Sequence, residues 1–255
     1  MNIKCPFHND NNASLSLNNK KIVCYGCNFN GKVKNFLKIK KFKLFFNKKI
    51  IFKAKENLYI KKNIWLNYLL LRNINMKTSL KFSLGFLDFS YKNKVKNILI
   101  NKLIFPIFNE NNLLIGLGLK NNNNNRNKYL NFFKKYNINE IFYGINNIID
   151  YSFVLIVEGY FDLLTLSKNN FINVISNLGC NINLEKISFL LKKFKKIYFC
   201  FDGDEAGYIA NIRTINISGD LYNKRIFSKA MPYNYDPDNY VNKYGIKSFL
   251  KYLKI

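Results

Sequence analysis

The chain's only histidine lies close to three of its five cysteines. Cys5 and His8 are separated by two residues, fifteen residues follow, and Cys24 and Cys27 are again separated by two. Each close pair can direct two donors at one ion from a tight turn, and thiolates with imidazole suit Zn²⁺ in a closed tetrahedral site. The spacing therefore predicts one structural zinc ion bound by these four side chains.

Carboxylates form the second chemical pattern. The chain has 15 acidic residues, and six of them fall in the short motifs VEGYFD, FDGD and YDPD, as Glu158, Asp162, Asp202, Asp204, Asp236 and Asp238. A helix cap or a solvated turn would explain any one of them alone. Converging carboxylates repel one another unless cations lie between them, and all-oxygen ligands select Mg²⁺ or Mn²⁺. The motifs together predict a divalent-metal site that acts on nucleotide phosphates.

Short apolar runs alternate with helical patterns from residue 153 onward. FVLIV, INVIS, KIYFCF and KRIFSKA are typical of strands, which predicts a parallel α/β sheet covered on both faces. Glu158 follows the first run and Asp202 the third, so we expect them to meet at the carboxyl edge of the sheet. We also expect Glu158 and Asp162 to share a helix face, and Asp238 to cap the helix that follows it.

The N-terminal half shows a different organisation. ASLSL and KKIVC indicate two short strands joined by a turn, 57–73 has helical periodicity, and 101–120 indicates two strands around an Asn-rich turn. The predicted domains are a zinc-binding module at 1–40, a basic linker at 41–56, a basic subdomain at 57–150 and the α/β part at 151–255.

The composition favours a polyanionic partner. Lys and Arg total 41 against 15 acids, a formal net charge of +26. Biased base composition explains part of this excess, and nucleic acid binding is the preferred reason for the rest. The start of the chain has no apolar signal segment, and the longest apolar stretch, IWLNYLLL, is too short to span a bilayer. We therefore expect a cytoplasmic, nucleoid-associated protein, or one in an organelle or symbiont cytosol, with no membrane partner.

These motifs, in this order, resemble those of bacterial DnaG-type DNA primases. CPFH and CYGCNFNG are similar to the family's CHC2 zinc ribbon, and KLIFPIFNENNLLIGLGLK with KYLN resembles its basic subdomain. VLIVEGYFDLLTL, SNLGC, YFCFDGDEAG and DPDNYVNKYG resemble its TOPRIM fold. The resemblance implies an α/β protein with a small β zinc ribbon, a mixed α+β basic subdomain and a TOPRIM-like parallel sheet.

The resemblance also implies an activity and its residues. The chain would synthesise short RNA primers on single-stranded DNA from ribonucleoside triphosphates during replication. Glu158, Asp202 and Asp204 would hold catalytic Mg²⁺ or Mn²⁺, and the remaining acids of the three motifs would complete the site. The residues implied to contact template, primer or triphosphate are Arg72, Lys102, Lys120 and Lys128.

This sequence departs from the family pattern in several places. The family usually has arginine at the positions of Lys102 and Lys120, and lysine lacks the bidentate fork that arginine offers to phosphate. Cys180 stands where the family usually has threonine. The resemblance implies a replicative helicase as a partner, although the sequence shows no counterpart of the family's C-terminal helicase-binding domain, which is its usual docking domain. We expect a monomer.

Two other functions share some of these features. Topoisomerases and TOPRIM nucleases use the same acids to cut nucleic acid strands rather than to polymerise nucleotides. A topoisomerase needs a tyrosine nucleophile, and any of the 17 tyrosines of this chain could serve as one. A non-catalytic module could bind single-stranded DNA through lysines and aromatic residues. Intact acidic motifs argue against the second alternative, because carboxylates weaken phosphate binding unless a metal ion is present.

The zinc prediction can be tested by metal analysis. We expect one Zn²⁺ per purified chain, and Cys24→Ser should lower the zinc content because it removes one of four ligands. Cys200→Ser is the matched control, since that cysteine lies outside the predicted site, and it should keep its zinc. Unchanged zinc in Cys24→Ser would contradict the assignment.

Overall fold

The computed structural model of this chain describes residues 2–3, 15–17, 21–25, 30–32, 48–60, 63–88, 99–121, 128–134 and 136–255. Within these residues it contains three four-stranded sheets. The chain divides into two units, Met1–Ile138 and Asn139–Ile255. The predicted mixture of antiparallel and parallel sheets is confirmed.

The first sheet is antiparallel and lies near the N-terminus. Its strands, in spatial order, are β1 Asn2–Ile3, β2 Leu15–Leu17, β3 Lys21–Cys24 and β4 Asn30–Lys32. Strands β2 and β3 are the two that the alternation predicts, and Leu15 pairs with Cys24 across them. Cys24 is fully buried.

Helix α1, Lys48–Ile60, occupies part of the predicted linker 41–56. Ile51, Ala54 and Leu58 recur at helical spacing and are buried, so this segment packs as a helix despite its lysines. The predicted linker therefore contains a packed helix from Lys48 onward. The predicted domain boundaries stay predictions.

The helix predicted over 57–73 is two helices in the structure. Helix α1 ends at Ile60, and α2, Ile64–Leu71, begins after Asn63. The Asn63 side chain accepts hydrogen bonds from the backbone N–H groups of Trp65 (3.0 Å) and Leu66 (2.9 Å). This N-cap starts a new helix, because it satisfies amides that a continuous helix would bond to preceding carbonyls. A short helix, α3, Met76–Lys81, follows.

The second sheet completes the N-terminal unit. Its antiparallel strands, in order, are β5 Gly85–Phe86, β6 Leu103–Phe108, β7 Leu114–Lys120 and β8 Tyr129–Phe133. The predicted turn between β6 and β7 is present, and the Asn109 side chain accepts from the backbone N–H groups of Asn111 and Leu113. All of β7 is buried, so both faces of this strand are covered.

The C-terminal unit alternates strands and helices as predicted. Its elements are β9 Phe153–Val157, α4 Tyr160–Lys168, β10 Val174–Ser176, α5 Leu184–Lys193, β11 Lys196–Phe201, α6 Glu205–Ser218, β12 Ile226–Ala230 and α7 Pro237–Leu253. The four strands are parallel, in the order β10-β9-β11-β12. Residues 154–157 of β9 are all buried, as expected for a central strand with both faces covered. None of the helices in the described ranges combines the length and apolar character needed to cross a bilayer.

The strand order creates a switch point between β9 and β11. The chain leaves β9 for β10 on one side, and then crosses to β11 on the other. Helices that leave neighbouring strands in opposite directions open a crevice at the carboxyl ends of those strands, where α/β proteins bind their ligands. The side chains just after β9 and β11 are therefore the first candidates for a site.

Candidate active site

Glu158 and Asp202 lie at this switch point. Each comes directly after its strand, Glu158 after β9 and Asp202 after β11. The backbone N–H of Asp202 donates to Oε1 of Glu158 at 2.9 Å. The structure thus brings together the two acids that the strand pattern places at one edge.

The turn after Asp202 is held tightly against residues 231–235. A side chain at Gly203 would collide with the carbonyl oxygen of Pro232, so only glycine fits. The N–H of Gly203 donates to the carbonyl of Tyr235 at 2.7 Å, and the N–H of Asn234 donates to the carbonyl of Gly203 at 2.8 Å. The position of Asp202 is therefore fixed by backbone contacts on both sides.

Asp204 is exposed and begins helix α6. Its side chain accepts from the N–H of Gly207 at 2.8 Å, which makes it the N-cap. A cap role and a metal role are compatible, because a carboxylate has two oxygens and this bond uses one.

Asp162 and Asp238 are buried and join helices α4 and α7. Asp162 accepts from the N–H of Gly159 at 2.8 Å and from the N–H of Asp238 at 3.2 Å. Asp238 accepts from the hydroxyl of Thr165 at 2.5 Å and from the Asn242 side chain at 2.8 Å. These bonds give both acids a structural role.

Two local predictions about these acids are wrong. Glu158 and Asp162 do not share a helix face, because α4 begins only at Tyr160 and Asp162 turns back to the N–H of Gly159. The cap of α7 is Asp236, whose side chain accepts from the N–H of Asn239 at 2.6 Å. Proline suits the first position of a helix, so Pro237 moves the start two residues ahead of the predicted one.

The clustered acids resist ionisation. Burial raises the pKa of Asp202, and the negative charges of Asp162, Glu158, Asp236 and Asp204 raise it further. Burial is also the main cause of the raised pKa of Asp162, with Asp236 and Asp238 adding to it. The pKa of Glu158 is raised by burial and by Asp204, against the hydrogen bond from Asp202. A cation in this cluster would relieve both the repulsion and the lost solvation.

The cluster suits a divalent cation for which the protein supplies only some of the ligands. Oδ1 of Asp202 is buried and has no hydrogen-bond partner in the described part of the chain. Among those same residues, no three Asp, Glu, His or Cys side chains form a complete ligand set as they stand. Mg²⁺ typically binds one or two protein carboxylates and fills its remaining positions with water and substrate phosphates. Asp202 and Glu158 fit that pattern, and a closed site made by Glu158, Asp202 and Asp204 alone is not present.

The loop after β10 supports Glu158, a feature that the residue pattern did not predict. The hydroxyl of Ser176 donates to the carbonyl of Glu158 at 2.8 Å, and the N–H of Gly179 donates to the same carbonyl at 3.0 Å. Cys180 follows in this loop, and burial together with the charges of Glu158 and Asp204 raises its pKa. The apolar run INVIS did not indicate that its last residue, Ser176, would hold the backbone of Glu158 in place.

Three of the four predicted basic residues gather in the N-terminal unit. Lys120, at the end of β7, has its Nζ 5.1 Å from the ring centroid of Tyr68 and 5.2 Å from that of Tyr129. The Arg72 guanidinium lies 5.7 Å from the Tyr68 ring, and Lys128 Nζ lies 6.0 Å from the Tyr129 ring. We call these five residues the basic-aromatic cluster. The two tyrosines were not predicted, although Tyr68 lies in α2 four residues before Arg72, which is the C-cap of that helix.

Lys102, the fourth predicted basic residue, lies directly before β6. The next residue, Leu103, pairs with Lys120 across the sheet. Burial lowers the pKa of Lys102. Its role in binding stays a prediction.

The predicted zinc ligands fall largely outside the described residues. Cys24 ends β3 and is buried, whereas Cys5, His8 and Cys27 lie in segments that the structure does not describe. The zinc site therefore stays a prediction at those four positions.

Two family models match separate parts of the chain. Residues 2–64 match the CHC2 zinc finger, and residues 152–226 match the Toprim domain. The first range contains all four predicted zinc ligands, and the second contains Glu158, Asp162, Asp202 and Asp204. The CHC2 match implies zinc, and the Toprim match implies a divalent metal.

Curated DNA primases resemble almost the whole chain. The DNA primase of Rickettsia prowazekii is 28% identical over 97% of this chain and 53% of its own length. That of Buchnera aphidicola subsp. Baizongia pistaciae is 29% identical over 97% of this chain and 55% of its own length. The chain thus spans about half the length of these relatives.

A solved structure shows the same fold. The zinc-binding and RNA polymerase domains of Aquifex aeolicus primase match with a TM-score of 0.66 and 22% identity, over 99% of this chain and 78% of that one. Taken together, the comparisons confirm the resemblance to DnaG-type DNA primases and the combination of a CHC2 zinc ribbon with a Toprim fold.

The basic-aromatic cluster generates a pH prediction. Burial, helped by the charges of Lys128 and Arg72, lowers the pKa of Lys120 to about 8. Lys120 is therefore charged below that pH and loses its charge as the pH rises through it. Binding of single-stranded DNA should weaken between pH of about 7 and about 9, and less steeply in Lys120→Arg, whose guanidinium stays charged.

Fluorescence anisotropy with a labelled oligonucleotide at constant ionic strength measures this. Lys195→Arg, an exposed lysine of the other unit, is the control and should follow the unmodified chain. The same pH dependence in the unmodified chain and in Lys120→Arg would show that Lys120 does not contribute charge to binding.

Proposed function

We propose that this chain is a DNA-directed RNA polymerase of the primase type, which makes short RNA primers on single-stranded DNA from ribonucleoside triphosphates. The observation that carries the proposal is the contact between Glu158 and Asp202 at the switch point of a parallel sheet. The similarity to curated DNA primases along 97% of the chain supports it.

Asp202 and Glu158 have distinct tasks in this proposal. Asp202 presents a buried, unpartnered oxygen to the site. Glu158 uses one oxygen to hold the Asp202 amide, which leaves Oε2 either to bind the ion or to accept the proton of the attacking 3′-hydroxyl. A bound Mg²⁺ or Mn²⁺ would supply neutralisation of the charge that grows on the leaving pyrophosphate.

The other acids keep the site in shape. Asp162 and Asp238 tie α4 to α7, and Asp236 and Asp204 cap the two helices that begin beside the cluster. Their negative charges also make binding of a cation at Asp202 more favourable. We assign them positioning and electrostatic roles rather than direct contact with substrate.

The basic-aromatic cluster would bind the template strand. Its cations can neutralise phosphates, and the rings of Tyr68 and Tyr129 lie within about 6 Å of those cations. One similar structure, 20% identical with a TM-score of 0.70 over 81% of this chain and 78% of that one, is a DnaG primase catalytic domain bound to single-stranded DNA. The CHC2 module with its zinc ion would contribute to the same recognition.

Primer synthesis tests the proposal. Purified protein, Mg²⁺, labelled ribonucleotides and a mixed-sequence single-stranded template should give short RNA products. Asp202→Asn keeps the side-chain shape but removes the charge, and we expect synthesis to fall by about 100-fold or more. Its binding to DNA should stay equal or become tighter, because an anion leaves a phosphate-binding site.

Asp220→Asn is the matched control, since it removes an exposed charge from the same unit without touching the cluster. It should synthesise primers like the unmodified chain. Unreduced synthesis in Asp202→Asn would exclude the proposed role of Asp202. Metal-dependent strand cleavage without synthesis would instead favour the nuclease or topoisomerase alternative.

A further inference from the structure

A group of tyrosines lies beside the acidic cluster and has no part in the mechanism above. Tyr233, Tyr235 and Tyr244, together with Lys243, form what we call the tyrosine surface. The side chains of Tyr233 and Tyr244 are 71% and 45% exposed. Tyr244 is the last residue before α7 leaves helical geometry at Gly245. Large exposed rings of this kind are available to a ligand.

The tyrosine surface is joined directly to the loop that carries Asp202. The backbone hydrogen bonds that join Gly203 to residues 234 and 235 are 2.8 and 2.7 Å long, respectively. On the other side, the hydroxyl of Tyr208 in α6 donates to the carbonyl of Met231 at 3.2 Å. A ligand on the tyrosine surface would therefore lie at a fixed position relative to the acidic cluster.

Contacts within the surface hold two of its rings in place. The Tyr235 and Tyr244 rings are 5.7 Å apart, and their hydroxyl oxygens are 3.0 Å apart. Lys243 Nζ donates to the Tyr235 hydroxyl at 2.7 Å and lies 5.1 Å from the Tyr244 ring centroid. A preorganised ring loses little conformational freedom when a base stacks on it.

The segment that follows the tyrosine surface along the chain carries only positive charges. From residue 239 to the last residue of the sequence there is no acid, while lysines stand at Lys243, Lys247, Lys251 and Lys254. All four side chains are exposed. The two acids just before this segment are engaged in hydrogen bonds, Asp236 in the cap of α7 and Asp238 with the Asn242 side chain.

We propose that the tyrosine surface binds single-stranded nucleic acid, with bases stacked on Tyr233 and Tyr244 and phosphates bound by Lys243 and the lysines that follow it. Exposed aromatic rings beside a row of cations are the two elements of sequence-independent strand binding, because every base has a π-face and every nucleotide a phosphate. The inference rests on the proposed function, to which it adds a second strand-binding surface next to the catalytic acids.

Oligonucleotide binding by variants of the full chain tests this. Tyr233→Ala and Tyr244→Ala should each weaken binding of a labelled single strand by about 5-fold or more, which is the loss expected for one stacked base. The slope of log K against log salt should not change, since no charge is removed. Lys243→Gln should instead make that slope shallower by about 0.7.

Two controls separate stacking from a structural effect. Tyr233→Phe keeps the ring and should bind like the unmodified chain. Tyr151→Ala removes a tyrosine that is also 45% exposed but precedes β9, at the opposite edge of the sheet, and should leave binding unchanged. Thermal unfolding of each variant shows whether it is folded. Because Tyr233 lies in a loop and is mostly exposed, its replacement should affect the stability of the fold least.

Several results would overturn the inference. These are alanine variants that bind as tightly as Tyr151→Ala, a Tyr233→Phe variant as weak as Tyr233→Ala, or alanine variants that lose affinity for anionic lipid vesicles while they retain affinity for the oligonucleotide. Failure of the proposed function is a separate result. In that case the unmodified chain would make no RNA primers in the presence of Mg²⁺, whatever the tyrosine variants do to strand binding in its absence.

Discussion

Repulsion between carboxylates at one edge of a parallel sheet is the constraint on which the C-terminal unit depends. Glu158 and Asp202 directly follow two neighbouring central strands. The hydrogen bond between them holds both acids at the point where the strand order reverses. Burial and neighbouring charges make ionisation of Asp202 unfavourable. Such an arrangement is stable at neutral pH when protons or a cation compensate the negative charge. The fold therefore favours binding of a divalent cation, the kind of ion that phosphoryl transfer uses.

The surrounding structure serves to keep that edge rigid. Asp162 and Asp238 are buried acids whose oxygens accept backbone and hydroxyl hydrogen bonds between α4 and α7. Gly203 lets the neighbouring loop approach closely enough to bond to the Asp202 turn. A site that binds its ion with few protein ligands needs this support, because the ligands themselves do little to fix one another.

The sequence predicted the elements better than it predicted the roles of individual acids. The apolar runs are strong signals, and all four strands of the parallel sheet lie where they indicate. Asp162 and Asp238 were placed wrongly in their local structure, because a motif such as VEGYFD or YDPD does not show at which residue a helix begins. The helix that begins at Lys48, inside the predicted linker, was missed for a related reason, since its many lysines conceal the apolar residues that are buried in the fold. Tyr68 escaped notice because its partner Lys120 is distant in sequence and meets it only in the folded unit.

Mapping the metal position tests the central claim most directly. Fe²⁺ can replace Mg²⁺ in sites made of oxygen ligands, and with ascorbate and peroxide it produces hydroxyl radicals that cut the backbone close to the bound ion. We expect cuts next to Glu158 and within 202–204, suppressed by excess Mg²⁺ and lost in Asp202→Asn. Cuts confined to other segments, or cuts at these two places that Mg²⁺ does not suppress, would contradict a metal-binding role for the acids at the edge of the sheet.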